Sequence, residues 1–213
     1  MKVYVISGLG ADFTVLEKLK FNPNLDIIFI EWLIPTQNES FENYVKRMAE
    51  SISATEEFYL LGYSFGGILV QEIHKLKPAK KVVILGSIKS DSEKSFAMKA
   101  GKITKITKIL PLKFYGAIST EYYGFIRKLF DSKNANVMTY FRVRDPYYLQ
   151  WSIQNILDWK MEKMPEVIQI LAEKDLVFPL KNSQPDYVIK DATHLFPLTK
   201  HKEVSKILAE ILV

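Results

Sequence analysis

A serine with a glycine two residues to either side stands at Gly62-Tyr63-Ser64-Phe65-Gly66, a spacing suited to nucleophilic chemistry. Phe58, Tyr59, Leu60 and Leu61 before it are an apolar run of strand formers, and residues 67–76 after it read as a helix. A serine wedged between strand and helix sits on a turn so sharp that its backbone is strained, and side chains in place of the glycines would meet the neighbouring elements. The hydroxyl is thereby pushed clear of the sheet, over a helix N-terminus that favours negative charge. The plainer reading of the same residues is a glycine-rich turn with Ser64 as a helix cap. The presence of partners decides between the two.

A serine nucleophile needs a base to take its proton, and the base needs an acid to hold its tautomer and stabilise its cationic form. The chain has three histidines. His74 lies near the end of the helix that starts beside Ser64 and so turns away from it. His201 sits between Lys200 and Lys202 at the start of the last helix and reads as solvated. His194 lies in the loop Asp191-Ala192-Thr193-His194-Leu195-Phe196-Pro197, just past the last predicted strand, at the strand ends where the serine turn also opens. For the acid, Glu173-Lys174-Asp175-Leu176-Val177-Phe178-Pro179 follows another predicted strand directly, with Asp175 three residues past its end. A turn-forming aspartate is the plainer reading there. Glu173 stays closer to the strand, and Asp91 is the main competitor. The set favoured is Ser64 as nucleophile, His194 as base and Asp175 as acid.

These residues need a frame that brings three distant stretches to one edge. Residues 2–7, 25–32, 58–61, 81–87, 167–172 and 187–190 read as six buried strands, alternating with helices over 14–20, 40–53, 67–76 and roughly 199–212. Strands alternating with helices of this length imply right-handed crossovers and a parallel sheet covered on both faces. The first strand runs into Gly8-Leu9-Gly10-Ala11-Asp12, two glycines that allow a tight turn and present backbone N–H groups. A dinucleotide fingerprint would need a third glycine where Phe13 stands, so that reading fails.

With 213 residues the chain is ample for one core and short for two domains. It has no cysteine, which excludes disulfides and thiolate metal sites. A net charge of +5 raises the question of nucleic acid, but no helix–turn–helix, zinc-finger or RNA-recognition pattern accompanies it, so no nucleic-acid partner is expected. The opening residues MKVYVISG read as a strand and not as a signal peptide, and no apolar run approaches the ~18–20 residues of a bilayer span. A cytoplasmic location is the resulting expectation. Oligomeric state is not legible.

The serine turn, an acid after a late strand and a base after the last strand occur in the order Ser, Asp, His, and in this the chain resembles the α/β-hydrolases over essentially its whole length. The resemblance implies an α/β fold with a doubly wound, mostly parallel six-stranded sheet, lacking the two antiparallel strands that open many members. It further implies a hydrolase core over 1–87 and 166–213, with a helical lid over 88–165 inserted between the fourth and fifth strands. The family's oxyanion hole falls, by position, on the backbone N–H groups of Leu9 and Phe65. Many members carry His-Gly where this chain has Ser7-Gly8, a departure that leaves the backbone donors in place.

The implied activity is acyl transfer through an acyl-enzyme, on a carboxylic ester with a small or medium apolar acyl group. A thioesterase, a lactonase and a non-catalytic ligand binder on the same fold are the alternatives, and no metal or organic cofactor is called for. A serine in the turn argues against dehalogenase or epoxide-hydrolase chemistry, which uses aspartate in this family. Within the expected lid, Phe96, Ala100, Ile103, Ile106 and Leu110 share a helical face while Lys99, Lys102, Lys105 and Lys108 spread over the rest. This reads as a lid helix with a solvated charged face and no stable membrane association, the alternatives being a membrane-surface contact or attraction of acidic substrates. The many aromatic residues from Phe114 to Trp159 read as lid core, with a few left to line an apolar pocket.

Overall fold

Six strands, β1 (Lys2–Ile6), β2 (Asp26–Phe29), β3 (Phe58–Tyr63), β4 (Lys81–Leu85), β5 (Val167–Ala172) and β6 (Tyr187–Ile189), pair in parallel in the order β2-β1-β3-β4-β5-β6. The computed structural model describes residues 1–117, 123–131, 137–162, 164 and 166–213. Tyr122 and Pro165, two residues of the expected lid, lie outside these, as do the side chains of Tyr123 and Phe125. The described helices are α1 (Phe41–Glu50), α2 (Phe65–Leu76), α3 (Phe96–Ile103), α4 (Ile106–Ile109), α5 (Leu112–Ala117), α6 (Tyr123–Phe130), α7 (Pro146–Asp158), α8 (Phe196–Thr199) and α9 (His201–Ile211).

Successive strand side chains point to opposite faces, and both faces are buried. Tyr4, Ile6, Leu60, Val82 and Ile84 pack with α1, α2 and α7 on one side. Val3, Val5, Tyr59, Leu61, Val83 and Leu85 pack with α9 on the other. The doubly wound sheet read from the sequence is therefore the one that forms. The chain leaves β1 toward β2 at one edge and returns to β3 on the other side of β1, so the strand order reverses there. Crevices open beyond the carboxyl ends of strands at such a switch point. The register pairs Ile6 with Gly62, which lays the Gly8 loop beside Ser64.

Several element boundaries differ from the sequence expectation. Residues 14–20 form no α-helix; a single 3₁₀ turn spans Phe13–Val15, capped by Asp12, whose carboxylate accepts the Thr14 N–H at 3.0 Å. Two β-branched residues there, Thr14 and Val15, lose rotamer freedom in a helix, and the segment is too short to recover it by packing. The closing helix starts at His201, after a separate turn that carries Pro197.

The largest difference lies at 92–110. A left-handed Lys105, φ +53°, breaks the run into α3 and α4. Met98 then lies half-buried against the core while Phe96 and Ile103, expected to be covered, are 86 % and 81 % exposed.

Lys94 joins this segment to α7. Its ammonium is buried and donates to the carbonyl oxygens of Leu157, at 2.8 Å, and Trp159, so it satisfies orphan acceptors at the carboxyl end of α7. Burial, with Lys102 adding to it, lowers the Lys94 pKa from 10.5 to about 8. Between those two values the unfolded chain binds more protons at this site than the folded one, so the site's contribution to stability rises with pH across that window. Lys94→Met removes the linkage. We expect the wild type to gain stability relative to Lys94→Met between pH 8 and 10.5 in denaturant titrations. A constant difference across that range would show that the lysine does not change its protonation on folding.

Candidate active site

Ser64 occupies the turn between β3 and α2 with φ +53° and ψ −117°, a conformation that costs a non-glycine residue about 1–3 kcal/mol. The surroundings hold it there. The Ser64 N–H donates to Leu85 O at 2.9 Å and the Gly67 N–H donates to Ser64 O at 2.9 Å. Close approach explains the flanking glycines. A Cβ on Gly62 would lie 2.4 Å from Gly66 O, and one on Gly66 would lie 2.3 Å from Ile6 O.

His194, fully buried in the loop after β6, brings Nε2 to 3.0 Å from Ser64 Oγ. Its Nδ1 lies 2.7 Å from Asp175 Oδ2. The other Asp175 oxygen accepts the N–H groups of Val177 and Phe178 at 2.8 and 2.9 Å, which fixes the carboxylate in its turn. The same geometry satisfies the turn role of Asp175 and leaves one oxygen for His194. Three residues from three loops thus form one hydrogen-bonded series, with Ser64 at the end that borders a cavity.

The competing groups are placed elsewhere. Glu173 accepts the Asp191 N–H at 2.8 Å. Asp91 borders a surface depression with Lys94, Lys99 and Lys102. His74 Nδ1 accepts the Ala79 N–H at 2.9 Å, closing the end of α2. His201, expected to be solvated, is partly buried, with Nδ1 3.1 Å from Leu198 O.

Aromatic rings enclose His194. Phe130 meets it edge-on with centroids 5.0 Å apart, Tyr63 lies at 5.3 Å and Phe178 at 5.9 Å. Tyr63 Oη donates to the His194 carbonyl at 3.0 Å. Burial, and then the Asp175 charge, push the Tyr63 phenol well above its ordinary pKa, so it stays a donor.

Leu9 lines the cavity that opens at Ser64, and Phe65 is the first residue of α2. Among the described residues neither backbone N–H has a hydrogen-bond partner. Two residues that the sequence did not single out hold the Leu9 loop. Trp32 Nε1 is shared among Gly8 O at 3.0 Å, Ala11 O at 3.1 Å and Ser7 Oγ at 3.2 Å, while its ring stacks on Phe65 at 5.2 Å. The Gly10 N–H donates to Tyr148 Oη at 3.3 Å. Ser7, where many α/β-hydrolases have histidine, donates its hydroxyl to Ala11 O within the loop. Only the buried placement of Trp32, after β2 in the middle of the glycine loop's neighbourhood, marks it out, and that placement is tertiary.

The cavity measures about 320 Å³ and every side chain lining it except Ser64 is apolar. Leu9, Phe141, Val177 and Phe178 come from loops of the sheet side and beyond. Met98 of α3, Phe114 of α5, Phe130 of α6 and Leu149 and Ile153 of α7 supply the opposite wall. Among the described residues no group of acidic, histidine or cysteine side chains is arranged to hold a metal ion.

A six-stranded parallel sheet wound on both faces, with a strained serine between the third strand and the following helix, is the α/β-hydrolase fold. Solved structures place the chain in that fold along its full length. A thermophilic esterase from Thermogutta terrifontis superimposes with a TM-score of 0.66 at 14 % identity, covering 100 % of this chain and 89 % of its own. A lipase-esterase related protein from Clostridium acetobutylicum gives 0.66 at 15 % identity, covering 100 % and 94 %. A hydrolase from Oleispira antarctica gives 0.68 at 9 % identity, covering 97 % and 89 %. No protein-family model and no curated protein matches the chain in sequence. At these identities the likeness is one of fold.

Proposed function

We propose that the chain is a serine hydrolase that cleaves carboxylic esters of small or medium apolar acyl groups through an acyl-enzyme. The observation that carries this reading is the Ser64–His194–Asp175 series opening into a wholly apolar cavity. A ligand-binding homologue would gain nothing from a strained serine aligned on a buried histidine and carboxylate.

With the His194 proton on Nδ1, held by Asp175, Nε2 accepts the Ser64 proton as Oγ attacks the ester carbonyl carbon. The Leu9 and Phe65 N–H groups face the developing oxyanion, aided by the positive end of α2. The imidazolium returns the proton to the leaving alkoxide, and the C–O bond breaks. Water, deprotonated by His194, then attacks the acyl-enzyme and frees Ser64 and the carboxylic acid. The residues between β4 and β5 act as a lid that covers Ser64 and shapes the acyl pocket. At about 320 Å³ the cavity stands at the low end of small-molecule sites, roughly 300–1,000 Å³, which suits short acyl groups.

The test is a panel of p-nitrophenyl esters with increasing acyl length, beside matched thioesters and lactones. We expect turnover of neutral apolar esters and little of those with a charged acyl group. Absence of turnover on every member, with no phosphonate labelling, would refute the proposal.

Trp32 is expected to position the Leu9 donor. Trp32→Phe keeps the ring stack on Phe65 and removes the shared N–H. Its kcat should fall roughly tenfold to a hundredfold with KM little changed, short of the ~10²–10³ seen when a donor itself is lost. An unchanged kcat would show that the loop holds its own geometry.

A further inference from the structure

The segment from 94 to 117 contains six lysines and no aspartate or glutamate. Lys94 is buried and Lys102 half-buried, while Lys99, Lys105, Lys108 and Lys113 are exposed. Among the described residues, the same segment carries five of the twelve large apolar side chains left exposed to solvent. Phe96 is 86 % exposed, Ile103 81 % and Ile109 68 %, with Ile106 and Leu112 partly exposed beside them in sequence. Phe96 and Ile103 are seven residues apart on α3 and therefore share one face. Solvated lysines alone would be an ordinary surface, but lysines interleaved with a phenylalanine and isoleucines in water are not.

We propose that α3, α4 and α5 form a docking surface for an anionic lipid bilayer. Phe96, Ile103 and Ile109 enter the boundary between headgroups and acyl chains, and the exposed lysines meet the phosphates. This departs from the favoured sequence reading of a solvated lysine face, because Phe96 and Ile103 of the shared apolar face lie in solvent beside those lysines.

Charge selects the occupant. A second copy of the chain applied to this face would bring its lysines against their own counterparts, and no acid from 94 to 117 offsets them. A nucleic acid offers phosphates but no aliphatic phase for Ile103 and Ile109. An anionic bilayer supplies both. The opposite face of α3 carries Met98, which lines the cavity at Ser64, so a docked bilayer lies against one wall of that cavity. The docking itself does not depend on the hydrolytic reading of Ser64.

The experiment is flotation of the full chain with phosphatidylcholine vesicles and with phosphatidylcholine–phosphatidylglycerol vesicles, at low and high salt. We expect recruitment by the anionic vesicles only, weakened at high salt as exposed charges are screened. The combined change Phe96→Ser, Ile103→Ser and Ile109→Ser should reduce partitioning about tenfold or more. Lys99→Gln, Lys105→Gln, Lys108→Gln and Lys113→Gln together should do the same. Lys18→Gln, Lys202→Gln and Lys206→Gln, on exposed lysines of other elements, should leave it nearly unchanged.

Absence of recruitment by either vesicle overturns the proposal. So does equal loss in the remote-lysine variant, which would mean diffuse attraction of a basic protein. Full binding by the serine variant would leave only a charge contact and overturn the insertion. A concentration-dependent dimer that disappears in the serine variant would assign the face to a second copy instead. Circular dichroism of each variant separates lost binding from lost fold, and phosphonate labelling of Ser64 reports separately on the active-site reading.

Discussion

Ser64→Ala should take no label from a fluorophosphonate and should lose turnover by about 10⁴-fold or more, while its thermal unfolding stays close to that of the wild type. Ser64 Oγ is one atom, and its contact in the folded protein is His194 Nε2 at 3.0 Å. Removing it leaves the sheet, the elbow glycines and the cavity walls in place. Alanine at φ +53° keeps whatever backbone strain the turn already carries. The measurement is mass spectrometry of the labelled chain with a parallel activity assay. Undiminished labelling of folded Ser64→Ala would place the nucleophile elsewhere and leave only the fold.

The second large effect concerns the base and its acid. His194→Ala or Asp175→Asn is expected to cost roughly 10³–10⁴ in kcat. Asp175→Asn keeps the shape and can still accept the Val177 and Phe178 N–H groups through its amide oxygen. The side-chain nitrogen then faces His194 Nδ1 as a donor, which disfavours the tautomer that leaves Nε2 free to accept from Ser64. The fold should survive with a modest loss of stability, since a buried imidazole loses its ionic partner. His201→Ala should stay within a few-fold of wild-type kcat, because its contact is the Leu198 carbonyl, remote from Ser64. His74→Ala should do likewise, with some loss of stability from the unpaired Ala79 N–H at the end of α2. If Asp91→Asn proved damaging and Asp175→Asn silent, the acid would lie after β4, against the geometry.

Most of the sheet could be read from the sequence because buried parallel strands announce themselves locally. VYVI and FYLL are continuous apolar runs, KVVIL and VIQILA are apolar but for Lys81 and Gln169, and each proved to be a strand within a residue or two. The serine turn was legible for a related reason. Its constraint is steric, with the turn's own Gly66 and neighbouring β1 in close approach, so the residue types that relieve it must stand at fixed spacing around Ser64. Asp175 and His194 were legible because a chain leaving a strand end in this topology has one edge to reach.

Other features were decided only when the chain packed. Helix over 14–20 was a local inference that yielded to a single capped turn. The helical face at 92–110 is apolar in periodicity whichever way it points. Only the break at Lys105, and the packing of Met98 against the core, turned Phe96 and Ile103 to solvent. Trp32 and Tyr148 reach the glycine loop from 25 and 138 residues away, and no spacing in the sequence encodes a contact of that range. Periodicity and turn sterics are properties of neighbouring residues, so the sequence by itself determined the strands, the elbow and the order Ser, Asp, His. Which face of a helix is buried, which indole holds a loop and how an apolar cavity closes over Ser64 depend on contacts between distant segments. Those the tertiary structure alone decided.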